Sequence, residues 1–329
     1  MRIEDFYVKT VPELFHKGLP GDPRLGDWAK PVRVPVPSDN ETQWIIVWGC
    51  PDDLGVTSNR GRAGAKAGPD SIRKHLYRMT PPMDFQWEDA VALGDLGNLV
   101  PSTKILETQM RCQAVCEKLG ESKVTLLAFG GGHDFAAPNF LGFISGLGQN
   151  ESAALINIDP HLDVRPLENG LPHSGTPFRQ ILDSKKIDPK KFVHFGTRAN
   201  RNARDHFQYC IRNGVKIQTL EALRASAAPI SKQFENALKG LARKSNVVAV
   251  TIDMDGCPQA EGTSAAPVIG FSAQELVDFA TLAGLNKKVR YFELAEVAPP
   301  LDPTERSSRI AAEVAFAFIS ARARVSLKS

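Results

Sequence analysis

The sequence lacks any block of lysine or arginine, and its charges nearly cancel. Its 40 basic and 37 acidic residues leave a formal net charge of +3 over 329 residues, which gives no strong attraction for a polyanion. It also lacks an apolar run long enough to cross a bilayer. The first 18 residues, MRIEDFYVKTVPELFHKG, include acids and no continuous apolar stretch, so we expect no signal peptide. We therefore expect neither nucleic acid nor a membrane as a partner.

Cysteine is scarce, and its five occurrences form no regular pattern. They are Cys50, Cys112, Cys116, Cys210 and Cys257. An odd, scattered set is not the framework of a disulfide-rich protein, so we expect buried, reduced thiols and a cytoplasmic location. Cys112 and Cys116 are one helical turn apart, but no second pair completes a zinc site.

The rest of the composition is typical of a globular protein, with 42% hydrophobic and 23% charged residues. Short runs rich in Val, Ile and Leu alternate with stretches of helical periodicity. The predicted strands cover 44–50, 89–95, 123–129, 153–159, 191–197, 215–220, 246–253 and 289–297. The predicted helices cover 70–77, 103–119, 135–147, 201–213, 231–243, 273–283 and 305–321.

This alternation predicts an α/β protein with a mainly parallel sheet that is covered on both faces. No linker divides the chain, so we predict one domain over residues 43–329. Residues 1–42 are rich in Pro, Asp and Lys and are predicted to be an N-terminal arm packed on that domain. In such folds ligands bind beyond the carboxyl ends of the strands, so residues just after each strand are the candidates for a site.

Three predicted strands end in residues that can bind metals. The segments are Gly130–Asp134, with His133; Asp159–Asp163, with His161 between two aspartates; and Asp253–Asp255. In an extended chain, side chains two positions apart point to the same side, so Asp159, His161 and Asp163 can converge. A glycine run before a histidine is on its own more often a turn, and Asp-x-Asp is often a helix cap. All three together favour a metal site.

Two imidazoles and four carboxylates in one place require cations. Four close carboxylates repel one another and resist ionisation. A pair of divalent ions about 3.5–4 Å apart removes this penalty. Because the ligands are mostly carboxylates and include no thiolate, they favour Mn²⁺ over structural zinc.

The segments GGGHD, NIDPHLD and TIDMDGCP resemble the three signature segments of the arginase/agmatinase (ureohydrolase) superfamily. The resemblance extends to CPDDLGVTSNRGRAGAKAGPDSIR, SGTPFRQIL and ELAEVAPPLD, and it spans roughly residues 45–320. Within the superfamily the pattern is most similar to the formimidoylglutamase branch, which has GGGH and SGTPF where the guanidino enzymes have GGDH and HG. The resemblance implies a three-layer α/β/α sandwich with a mainly parallel central sheet.

The resemblance also implies a set of ligands for two Mn²⁺ ions. One ion would be held by His133, Asp159, Asp163 and Asp253. The other would be held by His161, Asp159, Asp253 and Asp255, with Asp159 and Asp253 as bridges. Glu296 matches the acidic residue that faces the amidine or guanidine end of the substrate, and we expect Glu296 and Asp163 to be catalytic.

A substrate with carboxylate groups requires cationic or amide donors in its pocket. We expect substrate contacts from Asn59, Arg60, Ser174, Arg179 and Glu296. Further candidates are Arg62 and Arg165, and weaker ones are Arg198 and Arg201. Ser174 occupies the place of the guanidino enzymes' histidine, and His173 is one residue too early to replace it.

The implied activity is hydrolysis of N-formimidoyl-L-glutamate to L-glutamate and formamide, a step of histidine degradation. The alternatives are a guanidino hydrolase that releases urea, a related deacetylase with one zinc ion, and a non-catalytic metal-binding homologue. Three residues depart from the common family pattern without removing a ligand: Pro160, Thr251 and Ala298. The family includes rings of three or six subunits, so self-association is a further expectation.

Overall fold

The sheet of the protein contains ten strands in the part of the chain that is described by a computed structural model, residues 2–36, 43–86, 90–149 and 151–327. The strands are β1 (Tyr7–Val8), β2 (Lys30–Pro31), β3 (Trp44–Gly49), β4 (Ala92–Leu99), β5 (Thr125–Phe129), β6 (Ala153–Ile158), β7 (Phe192–Thr197), β8 (Lys216–Thr219), β9 (Val247–Asp253) and β10 (Val289–Ala295). Their order in the sheet is β1-β4-β3-β5-β10-β9-β6-β7-β8, and β2 also pairs with β4. Every pair is parallel except β1 with β4.

Helices cover both faces of this sheet. The α-helices are α1 (Leu25–Trp28), α2 (Leu54–Ser58), α3 (Gly68–Leu76), α4 (Ile105–Glu121), α5 (Ala136–Ser145), α6 (Pro177–Asp183), α7 (Arg204–Asn213), α8 (Leu220–Ala225), α9 (Ile230–Ala242), α10 (Ala273–Leu285) and α11 (Arg306–Ser326). Apolar side chains of α3, α8, α9, α10 and α11 form one core, and those of α4, α5, α6 and α7 form the other.

The two cores follow from the period of the strands. In β3, Ile45 and Val47 belong to the first core, whereas Ile46 and Trp48 belong to the second. Because successive side chains of a strand point to opposite faces, a strand that is buried on both faces must be apolar throughout. This explains the continuous Val/Ile/Leu runs, and the predicted three-layer α/β/α sandwich is confirmed.

The N-terminal residues are part of the sheet and of both cores. β1 and β2 pair with β4, Tyr7 packs in the second core, and Phe15 and Leu25 pack in the first. Residues 37–42 of the predicted arm lie outside the described residues, and the domain boundary at residue 42 stays a prediction.

Two further sequence expectations concern membranes and thiols. None of the described helices is both long enough and apolar enough to span a bilayer. All five cysteines are buried and free, as expected from their scattered positions.

Candidate metal centre

The candidate centre lies at the carboxyl ends of four adjacent parallel strands. In the sheet these strands are β5, β10, β9 and β6. His133 follows β5 after three glycines, Glu296 directly follows β10, and Asp159 directly follows β6. Asp253 is the last residue of β9. Because parallel strands all end at the same edge, segments far apart in the chain deliver their ligand-type residues to one place.

The first group of ligand atoms surrounds His133 Nδ1. The atom lies 3.3 Å from Asp159 Oδ2, 3.3 Å from Asp163 Oδ2 and 3.2 Å from Asp253 Oδ2. It nevertheless has no hydrogen-bond partner among the described residues, because none of these contacts has suitable geometry. Ligands about 2.1 Å from a common ion and at right angles to each other are about 3 Å apart. The spacing therefore fits a group that encloses a cation.

The second group contains His161, Asp255 and again Asp159. His161 Nδ1 lies 3.4 Å from Asp159 Oδ1 and 3.2 Å from Asp255 Oδ2. In each group the possible ligand atoms lie within 4.8 Å of one another. Asp159 uses one oxygen toward each group, which is the arrangement of a carboxylate that bridges two ions.

Two short turns bring the paired aspartates to the same side. Asp159 Oδ1 accepts from the backbone N–H of His161 at 2.6 Å, and Asp253 Oδ1 accepts from that of Asp255 at 2.8 Å. Such turns through an aspartate side chain reverse the chain locally. The sequence predicts extended chain at these two segments. The structure has turns instead, which still bring Asp159 close to His161 and Asp253 close to Asp255.

Asn202 holds the loop that carries three of the candidate ligands. Its Oδ1 accepts from the N–H of Leu162 at 2.7 Å, and its Nδ2 donates to the carbonyl oxygens of Pro160 and Arg198 at 2.9 Å each. The amide is thus bonded to the backbone on either side of His161 and to the backbone of Arg198. The bond to Pro160 uses its carbonyl oxygen, which proline has like any other residue.

The backbone is strained at this edge of the sheet. Asp163, Glu296 and Arg60 have φ values of 45°, 68° and 63°, although such values are rare for residues other than glycine. Strain of this kind is found mainly at active and ligand-binding sites. At Gly131 the constraint is steric, because a Cβ there would lie 1.9 Å from the carbonyl oxygen of Asp52. The glycine run therefore allows this loop to approach the Cys50–Asp52 backbone closely.

A buried chain of hydrogen bonds fixes the tautomer of His133. Thr251 Oγ1 donates to Glu293 Oε2 at 2.8 Å, and it lies 3.0 Å from His133 Nε2. Because the hydroxyl proton is used by Glu293, the hydroxyl oxygen accepts from His133 Nε2–H. In the neutral ring the lone pair of Nδ1 then faces the carboxylate side, where a metal would be bound. Sequence reasoning missed Glu293, which is buried within β10 and carries no local signal of this role.

Burial and mutual repulsion oppose ionisation of the carboxylates. Burial and then the charge of Asp255 raise the pKa of Asp253 well above its usual range, and burial raises the pKa of Asp255 to about 6. Burial lowers the pKa of His161, but Asp255 and Asp159 oppose it and raise the value to about 12. Burial also opposes ionisation of Asp159, yet the imidazoles of His133 and His161 beside it lower its pKa.

The charges and the unpaired atoms of these side chains are satisfied better by divalent cations than by the side chains themselves. His133 Nδ1 and Asp255 Oδ1 are buried without a hydrogen-bond partner in the described structure, which costs free energy. Cations would satisfy both atoms, replace the protons on the imidazoles and remove the repulsion between carboxylates. The oxygen-rich donor set matches the hard divalent ions.

Glu296 is directed at the same place. It is buried, and its Oε1 accepts from the backbone N–H of His133 at 2.8 Å. Burial and then the charge of Asp253 raise its pKa well above the usual range. A carboxylate fixed in this way can form a charge-assisted hydrogen bond to a cationic amidine, and the positive charge of that group would favour its ionised form.

A cavity of about 330 Å³ opens from this centre, a size suited to a small ligand. Five candidate centre residues line it: His161, Asp163, Asp253, Asp255 and Glu296. The rest of its wall includes Asn59, Arg60, Arg165, Ser174, Arg201, Asn202 and His206.

Comparison with known proteins identifies the family. Residues 43–320 match the model of the arginase family. The chain belongs to the arginase family. Formimidoylglutamase of Streptococcus pyogenes serotype M12 (strain MGAS2096) is 26% identical to it over 98% of this chain and 99% of that protein. The crystal structure of Trypanosoma cruzi formiminoglutamase with Mn²⁺ covers 92% of this chain and 99% of its own, at 28% identity and a TM-score of 0.80. Formimidoylglutamase from Bacillus subtilis, at 22% identity and a TM-score of 0.83, covers 94% of each chain and shares the fold.

Most of the predicted substrate residues of this arginase-family chain lie at the cavity. Asn59 Nδ2 donates to Ser174 Oγ at 2.9 Å, and Asn59 Oδ1 accepts from Arg165 at 2.9 Å. Arg60 lines the same wall. Arg179 is not brought to it: its Nε donates to the carbonyl oxygen of Val164, and its guanidinium stacks 3.4 Å from the Tyr209 ring centroid.

Other cavity residues were ranked low or missed from the sequence. Arg165 is a further candidate from the sequence and Arg201 a weaker one, whereas Asn202 and His206 are not among the predicted residues. His173 is buried, and its Nδ1 accepts from the N–H of Gly175 at 3.1 Å, so its ring stabilises the turn that contains Ser174. Nothing in the local sequence distinguishes Asn202 from other loop asparagines.

Proposed function

We propose that this chain hydrolyses an amidine with two Mn²⁺ ions, and that its substrate is N-formimidoyl-L-glutamate. Water adds to the C=N carbon and the bond from that carbon to the glutamate nitrogen breaks, which yields formamide and L-glutamate. The proposal depends chiefly on one observation, the two groups of ligand atoms that share Asp159. The names of relatives that match nearly the whole chain support the substrate.

We assign His133, Asp159, Asp163 and Asp253 to one ion and His161, Asp159, Asp253 and Asp255 to the other. The distances from the two imidazoles to the nearest carboxylates support this division. Asp253 as a second bridge stays a prediction, because its Oδ2 faces His133 while its Oδ1 accepts from the N–H of Asp255.

Two divalent cations at this place would lower the pKa of water and so supply a nucleophile at neutral pH. The residues of the chain do the rest. Glu296 orients the amidine with the oxygen that His133 N–H leaves free. Asp163 both faces His133 Nδ1 and lines the cavity, which supports its assignment, with Glu296, as catalytic.

The outer wall of the cavity is proposed to bind the carboxylates of the substrate. Asn59 and Ser174 are already hydrogen-bonded to each other, so they present a preorganised polar surface. Arg60 offers a guanidinium that can bind a carboxylate through two hydrogen bonds. Arg179 is left out of this proposal because it packs on Tyr209 instead.

The test is a parallel assay of the Mn²⁺-loaded protein on formimidoylglutamate, arginine, agmatine and 4-guanidinobutyrate. Products are identified by NMR, with the metal-free protein as the control. We expect formamide and glutamate from the first compound only. Urea from a guanidino compound without any formamide would contradict the proposal, and two bound Mn²⁺ ions without turnover of any compound would indicate a non-catalytic homologue.

A cytoplasmic location belongs to the same proposal. Five buried cysteines without a disulfide support it, because disulfides are rare in that compartment. Self-association is also retained as a prediction, which analytical ultracentrifugation would test.

A further inference from the structure

The acidic and the basic residues that line the cavity lie in different parts of it, the acidic ones at the candidate metal centre and the basic ones along the surrounding wall. All the carboxylates that line it belong to the centre: Asp163, Asp253, Asp255 and Glu296. The arginines that line it, Arg60, Arg165 and Arg201, come from other loops. If two divalent ions balance the four aspartates of the centre and a cationic amidine balances Glu296, the wall keeps its positive charge. The wall is then suited to the anionic end of a substrate.

The cavity arginines differ in what already binds them. Arg165 Nη1 donates to Asn59 Oδ1 at 2.9 Å. The side chains of Arg60 and Arg201, by contrast, form no hydrogen bond or ion pair with the described residues. Arg198, which is close in the chain to Arg201, is instead bound within the protein. Its guanidinium pairs with Glu221 at 2.8 Å and binds the carbonyl oxygen of Ile269 at 2.9 Å. Arg60 and Arg201 are thus the cavity arginines whose side chains have no partner in the described parts of the chain.

These two arginines approach the centre from opposite sides. Arg60 follows α2, in the connection after β3, and β3 is the neighbour of β5. Arg201 follows β7, and β7 is the neighbour of β6. The four strands that carry the centre lie between them in the sheet. One cation on each side matches a small substrate with two carboxylates better than a substrate with one.

We propose that Arg201 binds one of the two substrate carboxylates and so makes the cavity selective for dicarboxylate amidines over compounds with a neutral or cationic tail. This inference deepens the proposed function and rests on it for the identity of the substrate. A guanidinium that pairs with a carboxylate repels an amine placed in the same position, so the same residue accepts one class and rejects the other.

The test compares Arg201→Gln with Arg204→Gln, a control at an exposed arginine that does not line the cavity. The probes are L-glutamate, 4-aminobutyrate and L-2-aminobutyrate, the last two of which each lack one carboxylate. Their binding to the Mn²⁺-loaded variants is measured by calorimetry, which needs no turnover. We expect Arg201→Gln to weaken glutamate about ten- to hundredfold, as for loss of a charged hydrogen bond, and Arg204→Gln to have no effect.

The two truncated probes identify the carboxylate. Arg201→Gln should weaken the probe that keeps the carboxylate it binds and leave the other unchanged. Arg201→Lys should restore part of the lost affinity, because it keeps the charge and loses the two-pronged geometry. Equal weakening of all three probes, unchanged glutamate binding in Arg201→Gln, or no glutamate binding to the wild type would each overturn the inference.

The outcome is distinguishable from failure of the proposed function. Glutamate binding that depends on Arg201, without any hydrolysis of formimidoylglutamate, would leave this inference standing and reject the proposed reaction. Hydrolysis of formimidoylglutamate with the same KM in the wild type and in Arg201→Gln would support the proposed reaction and reject this inference.

Discussion

At the scale of the residue, the centre depends on side chains that do not themselves face the cavity. The hydroxyl of Thr251 links His133 Nε2 to Glu293 and so decides which imidazole nitrogen carries the proton. Asn139 donates to the other oxygen of Glu293 at 2.8 Å and keeps that carboxylate in place. Thr251 departs from the common family pattern, but its hydroxyl makes both of these contacts.

Replacement of Thr251 tests this relay. Thr251→Val keeps the shape of the side chain but removes the acceptor for His133 Nε2–H, so we expect Mn²⁺ affinity to fall about 10- to 100-fold, as for other partners of metal-bound histidines. Calorimetric titration with Mn²⁺ measures it. Thr251→Ser is the control and should keep the wild-type affinity. Wild-type affinity in Thr251→Val would show that the hydroxyl has no role in orienting His133.

At the scale of the element, the sequence predicts whatever depends on local periodicity. The eight predicted strands correspond to β3–β10, because an apolar run and the polar residues after it are both visible locally. The residues predicted as ligands at the ends of β5, β6 and β9 lie close together in the structure, and their role as ligands stays a prediction. Contacts between distant segments leave no such trace. Asn202 is 40 residues away from the loop it holds, and the stacking of Arg179 on Tyr209 depends on how α6 and α7 pack.

Strand β4 shows how tertiary contacts override propensity. The sequence predicts a strand over residues 89–95, of which residue 89 lies outside the described residues. The strand in the structure runs from Ala92 to Leu99. Its second half contains Gly97, whose φ of 97° and missing Cβ allow the carbonyl of Val8 to approach. Asp95 is buried in the middle of the strand, where its partners include Arg73, Tyr77 and Thr10. These partners lie in α3 or just after it and in the N-terminal segment, so the sequence around β4 does not reveal them.

Asp95 is therefore expected to be a major determinant of stability. Arg73 is fully buried and pairs with Asp95 at 2.9 Å, so Asp95→Ala would leave a buried charge without its main partner and cost about 3–5 kcal/mol in the free energy of unfolding. Urea denaturation measures this cost. Asp70→Ala is the matched control, because Asp70 also pairs with Arg73 but its side chain is 50% exposed; its cost should be much smaller. Equal costs for the two variants would contradict this account.

At the scale of the whole molecule, binding of metal must be coupled to release of protons. His161 has a pKa of about 12 beside its aspartates, so it is protonated at pH 7 and must lose that proton before Nδ1 can bind an ion. Mn²⁺ affinity should therefore rise with pH. It should fall more steeply below about pH 6, where Asp255 also gains a proton.

Calorimetry in buffers of different ionisation enthalpy checks this coupling. We expect at least one proton to be released per protein chain when Mn²⁺ binds at pH 7. Affinity that stays constant between pH 5.5 and 8, with no buffer dependence of the enthalpy, would mean that His161 does not become a ligand.

The most direct test of the two-ion centre is an anomalous diffraction measurement at the manganese absorption edge, on crystals of the Mn²⁺-loaded protein. The account predicts two anomalous peaks per chain, about 3.5–4 Å apart, one beside His133 and the other beside His161, with Asp159 in contact with both. A single peak per chain, or two peaks that do not share Asp159, would contradict it.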